Sequence, residues 1–113
     1  MLKRYLFDKE QLFALVTALE TDSIIAIIGL HKKLFFNSGI HVGMSVKEIV
    51  SLYHKCVVEQ NLMMYWEEIY DDKNNFTFVF KTDDTNRIGN YIEFDVQTKP
   101  INLSPLVNWI TII

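Results

Sequence analysis

Histidine, cysteine and neighbouring carboxylates are the residues of this chain that could carry chemistry. The histidines and the single cysteine are His31, His41, His54 and Cys56. A zinc site needs three or four ligands in tetrahedral geometry, and the sequence contains neither a C-x-x-C nor an H-E-x-x-H motif. His54 and Cys56 would share a face only on a strand, and at the end of a helix they diverge. We therefore predict no catalytic residue, no metal site and no cofactor, and we predict that the protein is not an enzyme.

Paired carboxylates occur at Glu67-Glu68, Asp71-Asp72 and Asp83-Asp84. Acid–base catalysis needs two carboxyl groups that converge in one pocket but have different environments. Adjacent acids on a strand point to opposite faces, and adjacent acids in a loop are usually solvated. The pairs therefore give no sign of a catalytic site.

The charge distribution excludes one class of partner and favours another. The chain carries 11 lysines and arginines against 14 aspartates and glutamates, a net charge of −3. Nucleic-acid binding normally requires a basic face that releases counterions from phosphates, so we expect no nucleic-acid partner. Residues 67–95 hold eight of the carboxylates and three of the cations, a local net charge of −5. This acidic segment is either a solvated rim or a surface that attracts a basic protein.

Large apolar side chains stand beside these acids in residues 62–70. Tyrosine, tryptophan and methionine are enriched at protein interfaces, although the same residues could simply form the core. We predict a protein partner that is bound through an acidic and aromatic surface. The candidate partner-binding residues are Tyr65, Trp66, Glu67, Glu68, Asp71, Asp72, Asp83 and Asp84.

Two helices are predicted to position these residues. Asp8 and Gln11 have the spacing of a capping box, and the apolar residues behind them recur at helical spacing, which predicts a helix over 9–20. Ser45 and Glu48 form a second capping box, and an apolar stripe follows that predicts a helix over 46–55. The stripe consists of Val46, Ile49, Val50 and Tyr53.

The remaining patterns predict strands. Residues 24–29 are predicted to form a buried strand, with residues 33–36 as its hairpin partner. Residues 65–70 are predicted to pair antiparallel with residues 76–81. Alternation over 91–96 predicts a third strand of that sheet, and 106–113 predicts a final one. Residues 56–61 are ambiguous, and the periodicity of residues 63–66 fits either a helix or a strand. The predicted fold is α+β: a mostly antiparallel β-sheet of about five to six strands with two helices packed on one face.

Composition bounds the remaining possibilities. Half of the 113 residues are hydrophobic and 13% are aromatic, which predicts a folded chain with residues 1–113 as a single α+β domain. One cysteine permits no internal disulfide. The chain starts without the apolar run of a signal peptide, and no stretch approaches the roughly 20 apolar residues of a membrane helix. We therefore predict a cytoplasmic protein without a membrane association. The sequence does not determine its oligomeric state.

The segment Ile40-His41-Val42-Gly43-Met44-Ser45-Val46-Lys47-Glu48-Ile49 carries a family resemblance. Together with the strand pattern up to residue 96, it is similar to small bacterial α+β domains, including outer-membrane assembly lipoproteins and β-lactamase-inhibitor-like domains. It also resembles immunity proteins of bacterial toxin–immunity pairs, of the contact-dependent-inhibition type. That resemblance implies a cytoplasmic protein that binds and neutralises a cognate toxin, for example a nuclease. The alternatives are an envelope-type assembly or scaffold domain and a small ligand-binding domain without catalysis.

Overall fold

The computed structural model describes residues 2–7, 10–18, 23–36, 39–53, 55–70, 76–93 and 96–112, with the backbone alone for 3–7 and 10. The elements are β1 (Leu2–Phe7), β2 (Glu10–Thr17), β3 (Ile24–Gly29), α1 (Val46–Leu52), β4 (Val57–Asn61), β5 (Trp66–Tyr70), β6 (Phe76–Phe80) and β7 (Trp109–Ile112). The described strands form one sheet in the order β1-β2-β3-β7-β6-β5-β4. Every neighbouring pair is antiparallel. The mostly antiparallel α+β fold is confirmed, but the described residues form seven strands and one helix, where five to six strands and two helices were expected.

The prediction of a helix over 9–20 is wrong, because Glu10–Thr17 form β2. The segment pairs on both of its edges, with β1 on one side and β3 on the other. Leu12, Leu15 and Val16 fit a helical stripe, but Phe13, Val16 and Thr17 also favour strands. Two ladders of backbone hydrogen bonds, to the strands directly before and after it in the chain, therefore override the local periodicity.

Strand β3 lies where it was predicted, but it is not buried throughout, since Ile24 and Ile25 are exposed. Its predicted pairing with residues 33–36 is also wrong. Both edges of β3 are occupied, by β2 and β7. The segment after it turns away, with the Leu34 N–H donating to the carbonyl of His31. Phe36 then covers Gly29, where an added Cβ would lie 2.7 Å from the Phe36 ring. Glycine at this strand position therefore makes room for an aromatic ring, as close approach requires.

Helix α1 confirms the second capping box. The Ser45 side chain accepts from the Glu48 N–H over 3.2 Å, and the Glu48 carboxylate accepts from the Ser45 N–H over 3.3 Å. The first two N–H groups of the helix have partners outside it. That of Val46 donates to the carbonyl of Pro105, and that of Lys47 donates to the carbonyl of Leu103. The helix ends at Leu52, three residues earlier than predicted, with Tyr53 as its C-cap.

Strands β4, β5 and β6 form two consecutive hairpins. The predicted pairing of β5 with β6 is confirmed, and the ambiguous segment before β5 contains β4. The third strand predicted over 91–96 is not found in its described residues, 91–93 and 96, and Phe94 and Asp95 lie outside them. Instead, Thr98 makes an isolated bridge to Val58 on the outer edge of β4. The predicted final strand is present as β7.

The core lies between α1 with its flanking segments and one face of the sheet. The side chains that the sheet contributes include Val58, Ile69, Phe78, Phe80 and Ile110, all buried. Val46 and Ile49 of α1 meet them, and Val50 and Tyr53 pack at the margin, so the predicted stripe faces the core. Because strand residues alternate between faces, Ile69 on the core side places its neighbour Glu68 on the opposite side.

Candidate protein-binding surface

The turn between β4 and β5 exposes consecutive apolar side chains. We call residues Leu62, Met63, Met64 and Tyr65 the hairpin tip. Met63 is 89% exposed and Tyr65 is 80% exposed. Single exposed apolar residues are common on protein surfaces, but contiguous ones mark interaction sites. The hairpin tip therefore has the character of a contact surface.

Asn61 holds the hairpin tip in a defined shape. Its carbonyl accepts from the Tyr65 N–H over 2.8 Å, and its side-chain oxygen accepts from the Met64 N–H over 3.1 Å. Tyr65 has a φ of 59°, which is the one positive value among the described non-glycine residues. A side chain in this left-handed region costs roughly 1 kcal/mol relative to glycine. The chain thus carries a bulky aromatic residue where glycine would be more stable.

Trp66 does not project freely, because it packs against the sheet. Its ring meets that of Trp109 edge-on, with centroids 4.7 Å apart, and the Lys81 ammonium lies 5.2 Å from the Trp109 ring centroid. The Trp66 indole N–H donates to Glu68 over 2.9 Å. Trp66 is half-buried, so part of its side chain remains accessible at the surface.

Glu68 stands opposite a second carboxylate, Glu59, across the β4–β5 pair. Neutral groups orient both: Trp66 and Asn61 donate to Glu68, and the Tyr70 hydroxyl donates to Glu59 over 2.9 Å. The two carboxylates line a hollow of about 320 Å³ together with Met63 of the hairpin tip. Like charges directly opposite each other on a sheet repel. Acid and apolar surface therefore meet at this end of the β4–β5 hairpin.

Glu67 is not part of this surface, and its prediction as an exposed partner-binding residue is wrong. Its side chain is fully buried. The Ile88 N–H donates to Oε1 over 2.8 Å, while the Gly89 N–H and the Tyr91 hydroxyl donate to Oε2 over 3.0 and 2.6 Å. The Thr82 hydroxyl also donates to Oε1. A buried carboxylate satisfied by four donor groups fastens the loop over 82–91 to the sheet.

A sequence signal for this burial exists. Glu67 and Ile69 are two residues apart on a predicted strand, and such residues share a face. Ile69 belongs to the core, so its neighbour on that face was bound to point inward as well. The partners of Glu67 could not be found in this way, because they come from a loop.

The remaining acidic candidates lie in loops. Asp83 organises a turn by accepting from the Thr85 N–H over 2.8 Å, and the hydrogen bonds from the Thr85 hydroxyl and N–H hold the pKa of Asp83 below its usual value. Asp84 is fully exposed, with its carboxylate 3.6 Å from Arg87. Asp71 and Asp72 lie outside the described residues. Asp84 is therefore accessible to a partner, which would compete with Arg87 for its carboxylate.

Histidine and cysteine side chains make local contacts. His31 accepts from the Lys33 N–H, His41 lies against Phe35 and within hydrogen-bonding distance of the Val42 carbonyl, and buried Cys56 donates to the Tyr53 carbonyl. His54 lies outside the described residues. Within the part of the chain that is described, no three metal-ligating side chains come together.

Comparisons with known proteins give no relative: no family model, no curated protein and no solved structure matches this chain. Among the described residues, no helix is long and apolar enough to cross a membrane.

Proposed function

We propose that this chain is a protein-binding module that engages a basic partner with the hairpin tip and the carboxylates beside it. The observation that carries the proposal is the exposure of Met63 and Tyr65, at 89% and 80%, on a turn that Asn61 closes with two hydrogen bonds. An apolar group held in one shape binds with a smaller loss of conformational freedom than a mobile one. The tip thus has the properties of an anchor.

The energetic contribution of such an anchor is substantial. Transferring a side chain the size of methionine from water into an apolar pocket stabilises a complex by about 1.5–3 kcal/mol. Aromatic anchors are among the residues that dominate measured binding energies. Met63 and Tyr65 together would therefore account for most of the affinity.

Charge selects the partner. Glu59 and Glu68 line a hollow together with Met63 of the tip, and the fully exposed Asp84 belongs to the acidic segment of the chain. Complementary charge raises the rate of encounter and sets orientation more than it raises affinity. A partner with lysines or arginines around an apolar pocket fits this surface.

The sequence resemblance extends the proposal to a biological role. In that role the chain is an immunity protein, which neutralises a cognate toxin in the cytoplasm by covering a basic functional surface. A basic nuclease surface would suit the acidic segment, because carboxylates can take the place of nucleic-acid phosphates. This role rests on analogy with a class of proteins and requires the partner to be inhibited, not only bound.

The test uses the protein encoded next to this chain in the genome. Both proteins are purified, and association and dissociation are followed by stopped-flow fluorescence at several salt concentrations. Met63→Ser with Tyr65→Ser should speed dissociation, and Glu59→Gln with Glu68→Gln should slow association and flatten its salt dependence. Ile101→Ser is the matched control, since Ile101 is also exposed but lies in a different loop.

Two results would contradict the proposal. Unchanged dissociation in the tip variant would remove the hairpin tip from the interface. Binding without loss of the partner's toxic activity would leave a binding module but reject the immunity role.

A further inference from the structure

A concave feature lies beside the end of β4, and its lining includes residues of the loop over 87–93. We call it the Arg87 cleft. Its volume is about 580 Å³, and its walls include Gln60, Arg87, Gly89, Asn90, Tyr91 and Ile92. Volumes of this size are typical of sites for small ligands or for one side chain of a partner.

The buried carboxylate of Glu67 makes the walls of the Arg87 cleft rigid. It accepts from the N–H of Gly89 and the hydroxyl of Tyr91, both of which line the cleft. Gly89 is also tightly packed, since an added Cβ would lie 2.6 Å from a methyl group of Thr98. The cleft is therefore preformed and does not depend on a mobile loop.

Arg87 has unused hydrogen-bonding capacity in this wall. A guanidinium carries five N–H donors. One terminal nitrogen lies 3.4 Å from both the carbonyl and the hydroxyl of Thr82, which are long hydrogen bonds. The buried Nε has no hydrogen-bond partner among the described residues. Buried donors are nearly always paired, so the unpaired Nε and the long contacts to Thr82 show that the described residues do not fully satisfy this guanidinium.

Asp84 indicates the chemistry of an acceptor for this guanidinium. Its carboxylate lies 3.6 Å from the other terminal nitrogen of Arg87 while remaining fully exposed. Exposed ion pairs contribute little to stability, so the Asp84 carboxylate is easily displaced. A carboxylate thus already reaches the guanidinium from the solvent side, without the short paired geometry that this group prefers.

We propose that the Arg87 cleft binds a carboxylate attached to an apolar group. The carboxylate pairs with the guanidinium of Arg87 and displaces Asp84, and the carboxamides of Gln60 and Asn90 supply further donors. The apolar group contacts the Tyr91 ring and the side chain of Ile92, which is 94% exposed. Glu93 also lines the cleft, and a carboxylate there repels anions, most strongly those with more than one negative charge. The ligand is a free carboxylic or amino acid, or the C-terminal residue of a peptide.

The inference is independent of the hairpin tip and is tested without a protein partner. Three probes are titrated into the full chain labelled with ¹⁵N: N-acetylphenylalanine, free phenylalanine and N-acetylphenylalaninamide. The first imitates a peptide C-terminus, the second is a free amino acid, and the third is a matched control without a carboxylate. We expect the carboxylates, but not the amide, to shift the Arg87 side-chain N–H and the backbone signals of Gly89 and Asn90.

Variants of the two charged residues give opposite results if the proposal is right. Arg87→Gln should weaken binding by about tenfold or more, because hydrogen bonds between charged groups are lost. Arg87→Lys keeps the charge without the paired donors and should bind with intermediate affinity. Asp84→Asn should strengthen binding, because it removes the competing carboxylate.

Other outcomes overturn the proposal. Equal binding of the amide probe would show that the carboxylate is not recognised. If Arg87→Lys and Asp84→Asn both bind as the unmodified chain does, the guanidinium has no part in recognition. Tighter binding of N-acetylphenylalanine than of phenylalanine assigns the site to a peptide C-terminus, and the reverse assigns it to a free amino acid.

Discussion

The hydroxyl of Tyr91 donates a hydrogen bond to Oε2 of Glu67 over 2.6 Å, between residues 24 positions apart in the chain. The carboxylate has no exposed surface, and its other partners come from the same loop as Tyr91. Removing a carboxylate from water costs several kcal/mol, which charge-assisted hydrogen bonds must offset. Glu67 therefore stabilises the loop only as long as its charge and its donors are both present.

Replacing Glu67 tests this dependence. We expect Glu67→Gln to lower the free energy of unfolding by about 2–4 kcal/mol, because an amide group would face N–H and O–H donors inside the protein. Glu68→Gln is the matched control on the same strand, and its oxygen can still accept from Trp66, so we expect a change of about 0.5 kcal/mol. Urea denaturation followed by fluorescence measures both. Equal effects would mean that the carboxylate of Glu67 is not the anchor of the loop.

The pKa of Tyr91 links this contact to alkaline stability. Burial raises that pKa above its ordinary value, and the hydrogen bond to Glu67 and the negative charge of Glu67 raise it further. Because the folded chain holds its proton more tightly than the unfolded chain, this contribution to stability is complete below about pH 10 and decreases as the pH rises further. Thermal unfolding between neutral pH and pH 11 should show the decrease. Phenylalanine has no hydroxyl to titrate, so the Tyr91→Phe variant should lose less stability between neutral pH and pH 11 than the unmodified chain. The same pH dependence in both proteins would show that Tyr91 does not cause the decrease.

The capping box at the start of α1 predicts a local loss of stability. Ser45→Ala removes the hydroxyl that accepts from the Glu48 N–H and should cost about 1 kcal/mol. Ser51→Ala is a control in the same helix, where the hydroxyl donates to the Lys47 carbonyl and caps no free N–H. Chemical denaturation compares the two variants. A Ser45 variant as stable as the Ser51 variant would show that the carbonyls of Leu103 and Pro105 hold the helix start without the cap.

The hairpin tip predicts opposite effects on stability and binding. Tyr65→Gly should raise the free energy of unfolding by about 1 kcal/mol, because glycine adopts a positive φ without strain. If Tyr65 is an anchor, as the proposed function requires, the same variant should bind the partner about tenfold more weakly. Tyr65→Phe keeps both the ring and the strain, so it should change neither quantity much. A Tyr65→Gly variant that gains stability and keeps full affinity would show that Tyr65 is not an anchor for the partner.

Local interactions account for the features that the sequence alone determined. Ser45 and Glu48 are three residues apart and hydrogen-bond within one helical turn, so their pattern predicts the start of α1. The alternation of Phe76, Phe78 and Phe80 likewise predicts a strand, and its partner β5 follows from the short connection between them. In both cases the groups that interact are neighbours in the chain.

Competition between possible pairings decided the rest. Residues 10–17 carry apolar side chains at helical spacing, yet they form β2 because strands before and after them supply hydrogen-bonding edges. Residues 33–36 cannot pair with β3, because β7, from the other end of the chain, already occupies that edge. No local window contains this competition.

Glu67 and Glu68 show the same division within one dipeptide. Strand alternation alone separates them, one toward the core with Ile69 and one toward the surface. The tertiary structure decided that the carboxylate of Glu67 can be buried. Only the folded loop brings the donors of Ile88, Gly89 and Tyr91 to this carboxylate, which is more than 20 residues away in the chain. Without those donors, the cost of removing the charge from water would have kept Glu67 at the surface, where composition alone places it.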